Sequence, residues 1–315
     1  MDGGERTERR MTPAITMHEV TKRFKGRLAL DALNWSVATS SIHGLIGANG
    51  AGKTTLLRLA LGVLWPDSGE VAVLGERLAR DNADNRQRVH YVASGRSMPS
   101  HFRVNDWLHY MNLLYERWDA ARCQRLLEAM EIPQTATIRS LSTGMQASLQ
   151  LAVAIATRPE LLLLDEPTNG MDVVVKRQVL QLIIDMAAAE GTTVVFATHN
   201  IEDVERMADT VSVLHRGCCI LTGAIDQIKS HMRRLQVVGL GRWSDDVFRD
   251  PHIARVERRG HVALVTTEGD DTGLEQRLKE AGAMLVEPID MDLAEIFRMV
   301  LEKEGYSRDT LSWDS

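Results

Sequence analysis

The sequence predicts an α/β fold built on a parallel sheet, and three observations predict it. A glycine loop of the form G-x-x-x-x-G-K-[ST] runs from Gly47 to Thr54. A short apolar stretch, Ile42 to Ile46, precedes it as a strand, and a helical stretch from Thr55 to Leu61 follows, ended by Gly62 and Pro66. A second apolar run, Leu161 to Leu164, reads as a strand buried on both faces, as central parallel strands are, and opens directly onto Asp165 and Glu166.

Strand, glycine loop and helix start together are the context in which this loop holds phosphate. Glycines free the backbone to adopt positive φ, so successive N–H groups along Gly47, Ala48, Asn49, Gly50, Ala51 and Gly52 can point at phosphate oxygens. The helix start at Lys53, Thr54 and Thr55 adds unpaired donors and a partial positive charge. Lys53 is placed to reach the β- and γ-phosphates, and the Thr54 hydroxyl to bind Mg²⁺. Asp165 and Glu166 fall at the carboxyl edge of the sheet, where open α/β sheets bind ligands. Asp165 suits Mg²⁺, directly or through water, and Glu166 is positioned to orient or deprotonate an attacking water. Acidic residues also follow buried strands simply because the chain returns to solvent; the glycine loop is what favours the functional reading.

Leu141-Ser142-Thr143-Gly144-Met145 then resembles the signature motif of ABC-type ATPases, written L-S-G-G-Q: Ser142 and Gly144 match, while Thr143 and Met145 depart. Its Gly144 stands 21 residues before Asp165. Ser142 also reads as a helix cap ahead of Met145 to Ala156, where a hydroxyl and free backbone donors suit a γ-phosphate. The resemblance implies a P-loop NTPase core, ATP and Mg²⁺ as ligands, and a homodimer in which one protomer's signature closes over ATP held by the other's glycine loop. Phe24 matches the aromatic that stacks on adenine, which needs only a π-face. Gly170-Met171-Asp172 resembles the D-loop, and His199, ending the strand Val194 to Thr198, matches the switch histidine that contacts the γ-phosphate. The family usually carries a Gln after its second sheet segment; aligning on His90 to Ala93 places Ser94 there, with Arg96 and His101 as nearby substitutes.

The motif set covers roughly residues 15–230, and the signature Met145, the helical stretch ending Tyr115 to Asp119 and the C-terminal tail look most like bacterial exporter ATPases of the antibiotic-resistance type. That likeness implies an ATP-binding and ATP-hydrolysing subunit that powers export through a separate integral membrane subunit. It would be cytoplasmic, peripheral on the inner face of the cell membrane. A soluble ABC-type ATPase with a regulatory or remodelling role is the alternative, and a binding module with little catalysis is left open by Ser94. Two ATP modules or sustained heptads, expected of ribosome-acting and DNA-repair members, are absent from the sequence.

The expected organisation is a flexible tail at 1–14, an ATPase domain at 15–229 with a helical subdomain at about 96–158, an accessory α+β domain at 230–304, and a tail at 305–315. Val104 to Tyr115 and residues 120–130 repeat apolar positions at three and four, as amphipathic helices do. In the accessory domain, 235–240, 254–257, 261–266 and 284–287 read as strands, and 271–281 and 292–303 as helices. It lacks a glycine loop or clustered carboxylates, which points to dimerisation or regulation rather than catalysis. A net charge of −6 argues against nonspecific nucleic-acid binding, and no segment approaches the roughly 18–20 apolar residues that span a bilayer. The charged N-terminus, Met1 to Thr12, lacks the apolar core of a secretory signal. Cys123, Cys218 and Cys219 fit no metal spacing and read as reduced, packed thiols.

Overall fold

Short runs of β-branched and leucine residues become parallel strands here because both of their faces are covered. The computed structural model describes residues 13–78, 87–93, 98–239, 245–269 and 273–303. Ser94 and Arg96, Leu240, Asp271 and nearly all of both expected tails lie outside the described residues. The chain divides between Thr222 and Gly223 into two compact units.

In the first unit the central sheet is formed by β3 (Ile42–Ile46), β6 (Val89–Val92), β7 (Leu161–Asp165), β8 (Thr193–Thr198), β9 (Thr210–His215) and β10 (Cys218–Ala224), in the order β10-β9-β3-β8-β7-β6. β9, β3, β8, β7 and β6 are mutually parallel. Every residue of β3, β7 and β8 is buried, which is why their sequences run apolar without alternation. A second, antiparallel sheet holds β1 (Ile15–Phe24), β2 (Arg27–Val37), β4 (Ser68–Val73) and β5 (Glu76–Arg77), in the order β2-β1-β4-β5. Between the sheets lies α1 (Lys53–Ala60); its Leu56, Leu57 and Leu59 share one core with Ile15, Trp35 and Val71 of the antiparallel sheet and Leu45 and Leu163 of the central one.

The helical stretch predicted between the sheet-forming segments is present as α2 (Val104–Leu114), α3 (Ala120–Ala129) and α4 (Thr143–Ala156). Asp119 caps α3 by accepting from the Arg122 amide, and Ser142 caps α4 by accepting from the Met145 amide at 3.2 Å. α4 packs on β6, α5 (Val173–Glu190) on β8, and α6 (Ile201–Met207) on β3 and β8. Asp172 caps α5 through the Val174 and Val175 amides.

The second unit contains α7 (Ile225–His231), β11 (Met232–Gly239), β12 (Ile253–Arg259), β13 (Val262–Glu268), α8 (Leu274–Glu280), β14 (Ala283–Ile289) and α9 (Leu293–Lys303). Its antiparallel sheet has the order β12-β13-β11-β14, with Leu235, Val237, Val265 and Leu278 at the core. The strands and helices expected there are present, with ends shifted by a few residues.

Two histidines lie inside the first unit. His43 on β3 is hydrogen-bonded to Thr210 Oγ1 at 2.7 Å and Ser212 Oγ at 2.9 Å, and Trp35 Nε1 donates to the same Ser212 oxygen. His90 on β6 meets the Thr157 hydroxyl at 3.2 Å. Burial lowers each ring from 6.5 to a pKa of about 4. Both are therefore neutral in the native protein at pH 7, whereas the unfolded chain takes up their protons near 6.5. Stability is thus fully present above about 6.5 and is lost as pH falls from there toward 4. In urea denaturation followed by tryptophan fluorescence, His43→Gln and His90→Gln should each flatten the decline between about pH 7 and 4.5, by on the order of 1–3 kcal/mol. An unchanged slope in both variants would assign the acid sensitivity to other groups.

Candidate active site

The glycine loop owes its path to backbone packed against it from two sides. A Cβ on Gly47 would stand 2.4 Å from the Leu214 carbonyl oxygen of β9. Gly52, with φ of 113°, would bring a Cβ within 2.7 Å of the Ala29 carbonyl on β2. No L-residue fits either place without moving backbone. Gly217, in the turn between β9 and β10, donates its amide to the Ala51 carbonyl at 2.9 Å and so anchors the loop from outside.

The loop borders a cavity of about 350 Å³ lined by Ala48–Gly50, Gly52–Thr55, Ala29, Asp165, Glu166 and Asn169. Lys53 is 6% exposed; its Nζ donates to the Gly47 carbonyl at 2.5 Å and pairs with Glu166 at 3.5 Å. Burial draws the Lys53 pKa below its ordinary value, and the Glu166 and Asp165 carboxylates oppose that. Thr54 Oγ1 donates to Asp165 Oδ2 at 2.8 Å. The residues that sequence reading assigned to phosphate and to Mg²⁺ thus meet directly.

Asp165 is 2% exposed at the end of β7, paired with Ala197 of β8. Glu166, the next residue, takes a left-handed φ of 51°, costing about 1–2 kcal/mol in an ordinary residue. That turn is held by its amide donating to the Ala197 carbonyl at 2.8 Å and its own carbonyl accepting from the Asn169 amide at 3.2 Å. It swings the carboxylate out of the sheet to meet His199 Nδ1 at 3.0 Å through Oε2. Glu166 accordingly touches Lys53 with one oxygen and His199 with the other.

Not every expected residue converges here. Phe24 lies 43% exposed at the end of β1, with the Lys22 ammonium 5.6 Å from its ring centre, and it is not among the residues lining the cavity. Ser142 and Gly144 begin α4 outside that cavity too; Ser142 spends its oxygen on its own helix, and a Cβ at Gly144 would meet nothing within 4 Å. Their neighbour Thr143 instead lines a cavity of about 250 Å³ with Gln146, Gln150, Glu166, Asn169 and Gly170. His101 is exposed and packs edge-on against Phe102.

The residues present fit a Mg²⁺–nucleotide. Among the described residues no group of three or more His, Cys, Asp or Glu side chains is arranged to hold a metal. Mg²⁺ is usually bound through one or two carboxylates plus substrate phosphates. Asp165, Thr54 and a loop whose glycines leave the backbone open supply that donor set.

Sequence reading missed Tyr91. Its phenol, on β6, donates to Asp165 Oδ2 at 3.1 Å, the same oxygen that Thr54 reaches. Burial, aided by the Asp165 charge and opposed by Arg58, pushes the Tyr91 pKa up to about 12, so it remains a donor at neutral pH. The clue was a hydroxyl near the carboxyl end of a short, largely buried strand, since a buried tyrosine oxygen needs a partner. Removing one support of a metal-binding carboxylate typically costs about 10–100-fold in metal affinity. Tyr91→Phe should therefore weaken the Mg²⁺ dependence of nucleotide binding by about tenfold in calorimetric titrations, leaving Mg²⁺-free binding unchanged. Identical Mg²⁺ curves for variant and wild type would remove Tyr91 from the site.

Comparison with known proteins agrees with this geometry. The family model described as ABC transporter matches residues 30–169. The chain is 28% identical over 286 residues to the ABC transporter ATP-binding protein YtrB of Bacillus subtilis, covering 90% of this chain and 96% of that one. It is 34% identical over 222 residues to the daunorubicin resistance ATP-binding protein DrrA3 of Streptomyces coeruleorubidus, covering 69% and 70%. Among solved structures, the ATP-binding cassette MJ0796, a dimer in a post-hydrolysis state with ADP and Pi, superposes with a TM-score of 0.62 at 22% identity over 67% of this chain and 98% of that one. With the glycine loop, the Asp165–Glu166 pair and His199 joined at one sheet edge, and relatives alike along most of its length, the chain belongs to the ABC transporter family, as one of its ATP-binding proteins.

Proposed function

We propose that the chain binds and hydrolyses ATP at the Gly47–Thr54 loop and works as a homodimer on the inner face of the cell membrane. There it powers export through a separate integral membrane subunit. The observation that carries this reading is the closed set of contacts at the sheet edge: Thr54 to Asp165, Lys53 to Glu166, and Glu166 to His199. Similarity to the Nod factor export ATP-binding protein I of Rhizobium, 28% identical over 286 residues, supports export. Among the described residues no helix is long and apolar enough to cross a membrane.

The loop amides and the Lys53 ammonium receive the β- and γ-phosphates, offsetting their charge in a place where water is partly excluded. Mg²⁺, held by Thr54 and Asp165, would neutralise phosphate charge as the γ-phosphoryl leaves. Glu166 orients a water and accepts its proton, with His199 fixing one carboxylate oxygen and standing toward the γ-phosphate; ATP and water give ADP and phosphate. Phe24 stacks on adenine at the rim. Ser142 and Gly144 complete the site of the partner protomer, where the open surroundings of Gly144 admit a phosphate. The C-terminal unit contributes to dimerisation or regulation.

Glu166→Gln keeps the size of the side chain and removes the base. Its ATP turnover with Mg²⁺ should fall by roughly 10²–10⁴-fold, while ATP binding persists and an ATP-dependent dimer accumulates in light scattering. Turnover at the wild-type rate would exclude Glu166 as the base. Purification from membranes should recover the chain with an integral membrane protein; recovery wholly without one would favour a soluble regulatory ATPase.

A further inference from the structure

Behind the Glu166–His199 contact lies a buried carboxylate that the chemistry above does not use. Asp203, in the first turn of α6, is 3% exposed. Its Oδ2 accepts from the Thr168 hydroxyl at 3.0 Å, and its Oδ1 pairs with Lys176 Nζ at 2.7 Å. Thr168 is itself 9% exposed and stands two residues beyond Glu166, while Asp203 stands four beyond His199. Lys176 sits in the first turn of α5, where its amide donates to the carbonyl of the capping Asp172.

These contacts close a ring. From Glu166 the chain runs through Pro167 to Thr168, crosses to Asp203, returns up the first turn of α6 to His199, and crosses back to Glu166 at 3.0 Å. Other bonds stiffen the return path: the Asn200 amide donates to Thr198 Oγ1 at 3.0 Å, and the Glu202 amide to Asn200 Oδ1 at 2.9 Å. Removing partners from a buried charge leaves it uncompensated, so both contacts on Asp203 are held firmly. The ring fixes the spacing of two loops that belong to different strands, β7 and β8.

We propose that Asp203 is a positioning residue for hydrolysis: clasping Thr168 and Lys176, it sets the register between Glu166 and His199. It touches no substrate and acts through His199. The inference rests on the hydrolytic reading of Glu166 and His199, and it adds the part of the fold that holds those two groups in place. A misplacement of about 1 Å at a reacting centre costs on the order of 10²-fold in rate. The strained φ of Glu166 makes such a shift the expected relaxation once the clasp opens.

The test uses the full-length chain and MgATP. Thr168→Val removes the hydroxyl at constant shape, Asp203→Asn removes the charge, and Thr168→Ser keeps the bond. In Thr168→Val and Asp203→Asn, kcat should fall about tenfold or more while the KM for ATP stays within about twofold; Thr168→Ser should return kcat to near the wild-type value. Because Asp203 acts through His199, Asp203→Asn should cost little further rate, in single-turnover measurements, once His199→Ala is present. Full additivity of those two changes would overturn the proposal, as would unchanged kcat in both Thr168→Val and Asp203→Asn. Equal losses in kcat, ATP affinity and melting temperature would also overturn it, leaving Asp203 with a purely structural role. Should Asp203→Asn fail to fold, the Thr168 pair decides. Wild-type turnover in Glu166→Gln would instead sink the hydrolytic reading itself, a result separable from any outcome at Asp203.

Discussion

The parallel register of β3, β8 and β7 is the constraint on which the rest of the site depends. Ile46 lies beside Thr198, and Asp165 beside Ala197, so three strands end at one level of one edge. The segments that leave them carry the glycine loop, the acidic pair and His199. Parallel strands need crossover connections, and those connections here are the helices that bury both faces of the sheet. The burial that makes the strands apolar also aligns their ends. A register slip of one residue in β7 would turn Asp165 away from Thr54, because side chains alternate along a strand.

At that edge, charges are withdrawn from water and tied to one another. Lys53 and Asp165 are nearly inaccessible, and Glu166 is mostly covered. Isolated, each would be expensive to bury; together they satisfy one another and the Thr54 and Tyr91 hydroxyls. The low local dielectric makes these contacts stronger than they would be at the surface, and it does the same for any phosphate charge placed among them. Preorganisation and strain coexist here: the left-handed Glu166 is tolerated because its amide, its carbonyl and its carboxylate are each separately held.

The glycines of the loop play two distinct roles. Gly50, also at positive φ, meets nothing where a Cβ would stand, so its freedom serves the backbone path alone. Gly47 and Gly52 instead make room for the carbonyls of Leu214 and Ala29. The loop is thus clamped between the end of β9 and β2 of the antiparallel sheet. This explains how a glycine-rich segment keeps one shape, and how the antiparallel sheet shapes the loop although it contributes little chemistry.

Much of this was legible in sequence, for local reasons. The glycine loop, the buried run ending in Asp165 and Glu166, the Ser142 cap and the strand ending before His199 are each set by residues adjacent in the chain. Chirality, capping and burial act there over a few residues. Contacts between distant segments were settled only by tertiary structure: Tyr91 on Asp165, Thr168 and Lys176 on Asp203, and Leu214 against Gly47, pairs that lie 27 to 167 residues apart. One sequence pattern is compatible with many cross-strand pairings, so no local rule names those partners. What the sequence determined by itself is the chemistry on offer at each strand end; which groups face one another was decided by the order and register of the sheet.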